Sequence, residues 1–225
     1  LQAANHITML PNSMEFVEKE LNNAMDHGIT DLWVINASNI KPHVYPLSFI
    51  ANLWKKKALT AGEHRKTYIR EYYGADCTED QLTCMEQCIS RYPDAMLSFG
   101  EREDEHAGEQ FYNYAVRDFI YGWMRDGAAA PIEELFWCTG EAAFDKQMDW
   151  FESKCNATSN KIEQLYHDCA VVKDSELWKD SLLLQTEIHK YCLKGSILFA
   201  ESFRAYQKKE YKKCFFLLGN AVEAY

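Results

Sequence analysis

The stretch Asp31-Leu32-Trp33-Val34-Ile35-Asn36-Ala37-Ser38-Asn39-Ile40-Lys41-Pro42-His43 holds the densest set of groups able to recognise a small polar molecule. Asn36, Ser38, Asn39, Lys41 and His43 bring amide, hydroxyl, ammonium and imidazole together. An amide both donates and accepts, and a lysine offers a cation to a carboxylate or a sugar hydroxyl. Pro42 stiffens the turn. Ahead of the loop, Leu32 to Ile35 form a short apolar run, rich in β-branched and aromatic residues. Such runs suit strands covered on both faces. In α/β folds ligands bind at the carboxyl ends of the strands, so the loop sits where a binding site is expected. The chemistry predicted is recognition rather than bond breaking. The competing reading is a loop whose polar groups satisfy one another.

Other chemistries are poorly provided for. Glycoside hydrolysis by acid and base needs two carboxyls flanking one bond. Near the loop the carboxylates are Glu15, Glu18, Glu20, Asp26 and Asp31, on the exposed side of a helix or at the wrong end of the strand. No nucleophile elbow, P-loop, Gly-rich dinucleotide turn or Ser-His-Asp order is present. The histidines, among them His27, His64, His106, His167 and His189, are scattered and read as surface or satisfied polar residues. The eight cysteines contain no Cys-x-x-Cys pair. Cys84 and Cys88, at helical i,i+4 spacing, are the one candidate metal pair. With no second pair at zinc-site spacing they read as small buried hydrophobes, and no metal is expected.

The elements that position these groups follow from composition and periodicity. The chain has 225 residues, 47% hydrophobic and 26% charged, with a net charge of -10 and a pI of about 5.2. That is globular rather than disordered. The acidic balance argues against nucleic acid as a partner. No apolar run is long enough to span a bilayer, so no membrane partner is expected. The chain opens on Leu1 rather than Met, which reads as an excised or processed piece.

Asn12 with Glu15 reads as a capping box for a helix carrying Phe16, Val17, Leu21, Ala24 and Met25, stopped at Gly28. The strand Asp31–Ala37 and the polar loop come next, and Pro46 opens a helix running to the lysines at 55–57. Beyond Gly62 no strand is convincing. Glu63 to Tyr73 reads as a polar helix, and Thr78 with Gln81 caps the next one. Glu101 to Glu105 is a solvated charge run. Phe111 to Trp123 is an amphipathic helix, and the Gly-Ala-Ala-Ala-Pro at 127–131 is a linker. Helices follow at about 132–156, 159–172 and 175–194, the last continuing through Gly195. A closing helix at about 209–225 completes a hairpin without a 34-residue repeat.

From Gly28 to Pro42 the chain reads Gly-Ile-Thr-Asp-Leu-Trp-Val-Ile-Asn-Ala-Ser-Asn-Ile-Lys-Pro, followed by Phe49 and Ile50. This resembles the matching loop of the glycoside hydrolase family 115 α-glucuronidases, closely over about residues 10–57 and weakly but collinearly beyond. Ser38 stands where the family has Gly, Asn39 where it has Asp, and His43 and Val44 where it has a nearby Glu. The resemblance implies a longer protein with a TIM-type barrel and a helical domain. The chain is then mainly α: a closing β/α segment of the barrel at 1–60, followed by a helical bundle at 61–225. It further implies removal of (4-O-methyl)glucuronic acid from xylan by inversion, with no metal or cofactor, and a homodimer. Most catalytic carboxylates are expected upstream. Asn36, Asn39, Lys41 and His43 are the expected substrate-binding residues. The family is often exported, whereas singly spread cysteines lean towards a reducing compartment, so localisation stays open. The alternative reading is a non-enzymatic helical interaction domain.

Overall fold

A computed structural model describes residues 6–37, 39–55, 59–125, 135–136 and 139–225. The expected linker at 127–131, and Ser38, Lys56, Lys57 and Cys138, lie outside the described residues. Among the described residues the chain is mainly helical. The helices are α1 (Met14–Asp26), α2 (Val44–Trp54), α3 (Ala61–Tyr73), α4 (Glu79–Ala95), α5 (Glu109–Met124), α6 (Phe144–Ala170), α7 (Leu184–Gln207) and α8 (Tyr211–Ala224). No described helix is long and apolar enough to cross a membrane.

Local chemistry sets the ends. The cap of α1 is Ser13, not Asn12. The Ser13 side chain accepts from Phe16 N at 3.1 Å, while the Asn12 amide donates to Glu103 O. Gly28 ends this helix with φ +87°, a left-handed conformation that a side chain resists. The Thr78–Gln81 box on α4 forms as the sequence predicts, and a second box, Thr60 with Glu63, starts α3.

One expected break does not occur. Residues 156–159 continue inside α6, because Cys155 and Ile162 keep its buried face continuous and the Thr158 hydroxyl bonds back to Lys154 O at 3.0 Å. The break falls instead at Ser181, whose non-helical φ/ψ lies in the turn Lys179–Leu183 ahead of α7. There the Ser181 hydroxyl lies 2.8 Å from Tyr73 OH and donates to Trp178 O at 3.1 Å.

The strand expected at Asp31–Ala37 is absent, and no strand occurs among the described residues. Leu32 and Val34 are 73% and 87% exposed. A strand is held by a neighbouring ladder, and no described residue supplies one. Trp33 is anchored, its ring 4.8 Å from that of Trp54 and its Nε1 donating to Ile29 O at 3.1 Å.

One apolar cluster runs from Met9 through Phe49 and Phe111 to Phe199. At its centre Phe111 stacks on Phe151 at 5.5 Å, and Phe119 meets Phe144 edge-on at 5.6 Å. Each fully buried ring contributes about 2 kcal/mol by removal of apolar surface from water.

Helices α7 and α8 form the expected hairpin, turned at Lys209 with φ +59°. Gly195 sits where they touch. A Cβ there would meet the Tyr225 ring at 2.6 Å and Ala221 O at 3.2 Å. Gly195→Ala gains about 1 kcal/mol of helix propensity. It also drives off the Tyr225 ring and breaks the bond between Tyr225 OH and the Ser196 hydroxyl, at 2.6 Å, which loses about 1 kcal/mol. The expected outcome is a small change in melting temperature with clearly faster carboxypeptidase trimming from Tyr225.

Candidate functional site

The polar loop folds as a short 3-10 turn, Lys41–His43, running directly into α2. It packs on the kinked turn before α7: Lys41 Nζ lies 3.4 Å from Asp180 Oδ2, both side chains being exposed. Asn39 Nδ2 donates to His6 O at 2.7 Å. His43 is buried, its ring 6.1 Å from that of His6 in edge-on contact. Burial, with the nearby His6, lowers the His43 pKa and favours the neutral imidazole. Asn36 faces different surroundings, an apolar groove between α1 and the 29–36 segment lined by Leu21, Ile29, Leu32 and Trp33. The structure therefore brings Asn39 and His43 together beside the N-terminal segment. Lys41 stands next to them at the kink, and Asn36 stands apart.

The group that organises this neighbourhood is Glu109, in the first turn of α5 and buried. Its Oε1 lies 3.1 Å from His6 Nδ1 and accepts from Ile7 N at 3.2 Å, and its Oε2 accepts from the Thr8 hydroxyl. A helix N-terminus favours an acidic side chain, and these donors offset the desolvation of a buried carboxylate. The strap continues: Met9 N donates to Gln185 Oε1 at 2.7 Å on α7, and Tyr92 OH on α4 donates to Met9 O at 3.2 Å. Residues 6–9 are thus tied to three helices.

Sequence reasoning missed His6, Thr8 and Glu109. Their partners lie about a hundred positions away, and Glu109 follows so closely on the run at 101–105 that it reads as more of the same solvated charge.

Two arrangements resemble catalytic groupings and work differently. Ser48 Oγ lies 3.0 Å from His64 Nε2, and Asn52 Nδ2 lies 3.1 Å from His64 Nδ1. The Ser48 hydroxyl, however, donates to Tyr45 O at 2.7 Å. His64 Nε2 must therefore supply the proton in its bond to Ser48, the reverse of what an activating base does. Burial lowers the His64 pKa, consistent with a neutral clasp between α2 and α3. At Glu109 a single engaged carboxylate does not provide the pair that glycoside cleavage requires. Among the described residues, no group of three or more His, Cys, Asp or Glu is arranged to hold a metal.

Fold and loop define a helical scaffold that holds a polar rim against a half-buried N-terminal strap. Residues 2–98 match the family model described as Glycosyl hydrolase family 115. Over this stretch the chain is similar to that glycoside hydrolase family. No curated protein and no solved structure matches the chain.

Proposed function

We propose that the chain is part of an inverting glycoside hydrolase that releases (4-O-methyl)glucuronic acid from substituted xylan. Residues 1–60 belong to the closing unit of its barrel and 61–225 to its helical domain, through which it forms a homodimer. In that protein the 29–37 segment pairs as a strand with residues outside this chain, which gives exposed Leu32 and Val34 a partner surface. The catalytic acid and base also lie outside this chain.

The observation that carries this reading is the overlap of the family match at 2–98 with the loop Asn36–His43. Lys41 supports it. Its partner Asp180 is exposed, and an exposed ion pair is worth so little that a uronate can replace it. Asn39 and His43 shape the rim beside that cation, and Asn36 contributes from the neighbouring groove.

Incubation of the isolated chain with glucuronoxylan oligosaccharides should release no glucuronic acid. Measurable turnover would overturn the placement of acid and base outside the chain. In calorimetric titrations the acidic oligosaccharide should bind better than the unsubstituted one, and Lys41→Ala should remove that preference. Equal binding of both sugars by the unaltered chain would remove the loop from the reading.

A further inference from the structure

A groove runs between α5 and α8, with Phe199 of α7 in its floor. It encloses about 770 Å³, within the range of sites that take a small molecule. Its walls are apolar. Ile120 and Met124 on α5 and Val222 on α8 are 40%, 79% and 76% exposed. Beneath them Trp123 meets the buried Phe199 ring edge-on at 5.9 Å. Apolar groups left facing water on a concave surface gain free energy when a ligand covers them.

Polar groups gather towards the start of α5. Asn113 and Arg117 stand one turn apart on the same face of that helix, ahead of Ile120 and Met124. Arg117 is the one charged side chain among the described residues of the lining, in a chain whose net charge is -10. Its guanidinium rests over the Tyr114 ring at 5.0 Å. The neighbouring Asp118 carboxylate lies 4.0 Å from Arg117 Nε, beyond hydrogen-bond reach. Tyr112, also in the lining, is buried, and its hydroxyl has no hydrogen-bond partner among the described residues. A buried hydroxyl ordinarily has one.

These features select the ligand. A single cation matches a single negative charge, and a guanidinium takes a carboxylate through two parallel hydrogen bonds. Apolar walls match an aliphatic chain. From Asn113 to Met124 the helix rises about 16 Å, comparable to an extended dodecanoate. A sugar would press its hydroxyls against Ile120, Met124 and Val222 without partners, which opposes binding. We propose that the groove between α5 and α8 binds an aliphatic monocarboxylate, its head on Arg117 and Asn113 and its chain along Ile120, Met124 and Val222. The Tyr112 hydroxyl is a further donor in the lining. The groove shares no residue with the loop at 36–43 and does not depend on the glycosidase reading.

The test is calorimetric titration of the whole chain with dodecanoate, kept below the concentration at which it forms micelles. Saturable binding of one dodecanoate per chain is expected. Dodecyltrimethylammonium, with the same chain and the opposite charge, should bind more weakly by about tenfold or more. Arg117→Gln should weaken dodecanoate to a similar extent, and Val222→Glu should abolish its binding by setting a carboxylate in the path of the chain. Absence of saturable binding, equal binding of the two amphiphiles, or an unchanged affinity in Arg117→Gln would overturn the proposal. So would light scattering that finds the free chain dimeric and its Val222→Glu variant monomeric, because the groove would then be an interface between copies. Comparison of the two amphiphiles uses the unaltered chain, so a misfolded variant does not blunt the test.

Discussion

Acidification from pH 6.5 to about 4 is expected to destabilise the chain by about 3 kcal/mol through His189 alone, whose pKa falls from 6.5 to about 4 on burial. His189 is fully buried on α7, and its Nε2 lies 2.9 Å from Tyr92 OH. Tyr92 spends its proton on Met9 O, so Nε2 is the donor and Nδ1 is left as a lone pair with no partner. Protonation would place a second N–H at a position with nothing to receive it. Below pH 6.5 the unfolded chain takes up the proton that the folded chain refuses. Stability is therefore complete above that value and declines as the pH drops. His43 and His64 are shifted in the same direction for the same reason and add to the decline. Urea unfolding at a series of pH values measures the slope. His189→Gln keeps a donor for Tyr92 and removes the titration, so it should flatten the curve between those limits. An unchanged slope in that variant would show that His189 does not govern it.

Glu109→Ala should cost about 3 kcal/mol, because hydrogen bonds to a charged acceptor are the strong ones and their donors are left buried without partners. Ile7 N and the Thr8 hydroxyl would lose their acceptor, and Thr8 is fully buried. Glu109→Gln retains one acceptor oxygen and should lose roughly half as much. The denaturation midpoint reports the total. Amide exchange at residues 7–9 separates a loosened strap from general unfolding: those amides should gain exchange in both variants while the centre of α6 stays protected. Equal exchange everywhere would place the role of Glu109 in the core at large rather than in the strap.

What the sequence made legible is the part governed by neighbours along the chain. The cap at Thr78, the stop at Gly28 and the amphipathic face of α5 rest on contacts within a few residues, and they are found as expected. The apolar run at 32–35 carries the composition of a buried strand, but pairing is a property of a second segment that composition does not reveal. Ser and Thr inside α6 read as a break because their alternative hydrogen bonds compete with the helix, and continuous packing of Cys155 and Ile162 overrides them. In the candidate site the loop residues stood out by clustering. Their buried counterpart, Glu109 with His6 and Thr8, did not, since nothing local distinguishes a carboxylate that will be desolvated from one that will stay in water.

The strap at residues 6–9 also bears on the order in which the molecule can assemble. Its acceptors and donors sit at Tyr92, Glu109 and Gln185, positions made long after the strap itself has left the ribosome. Contacts so distant in sequence form only after the intervening chain has been brought to order, and such closures slow folding. During synthesis the earliest of these residues must wait, solvated and unpaired, until α7 exists to receive them. The strap, made before its partners on α4, α5 and α7, is then among the last of them to find its place.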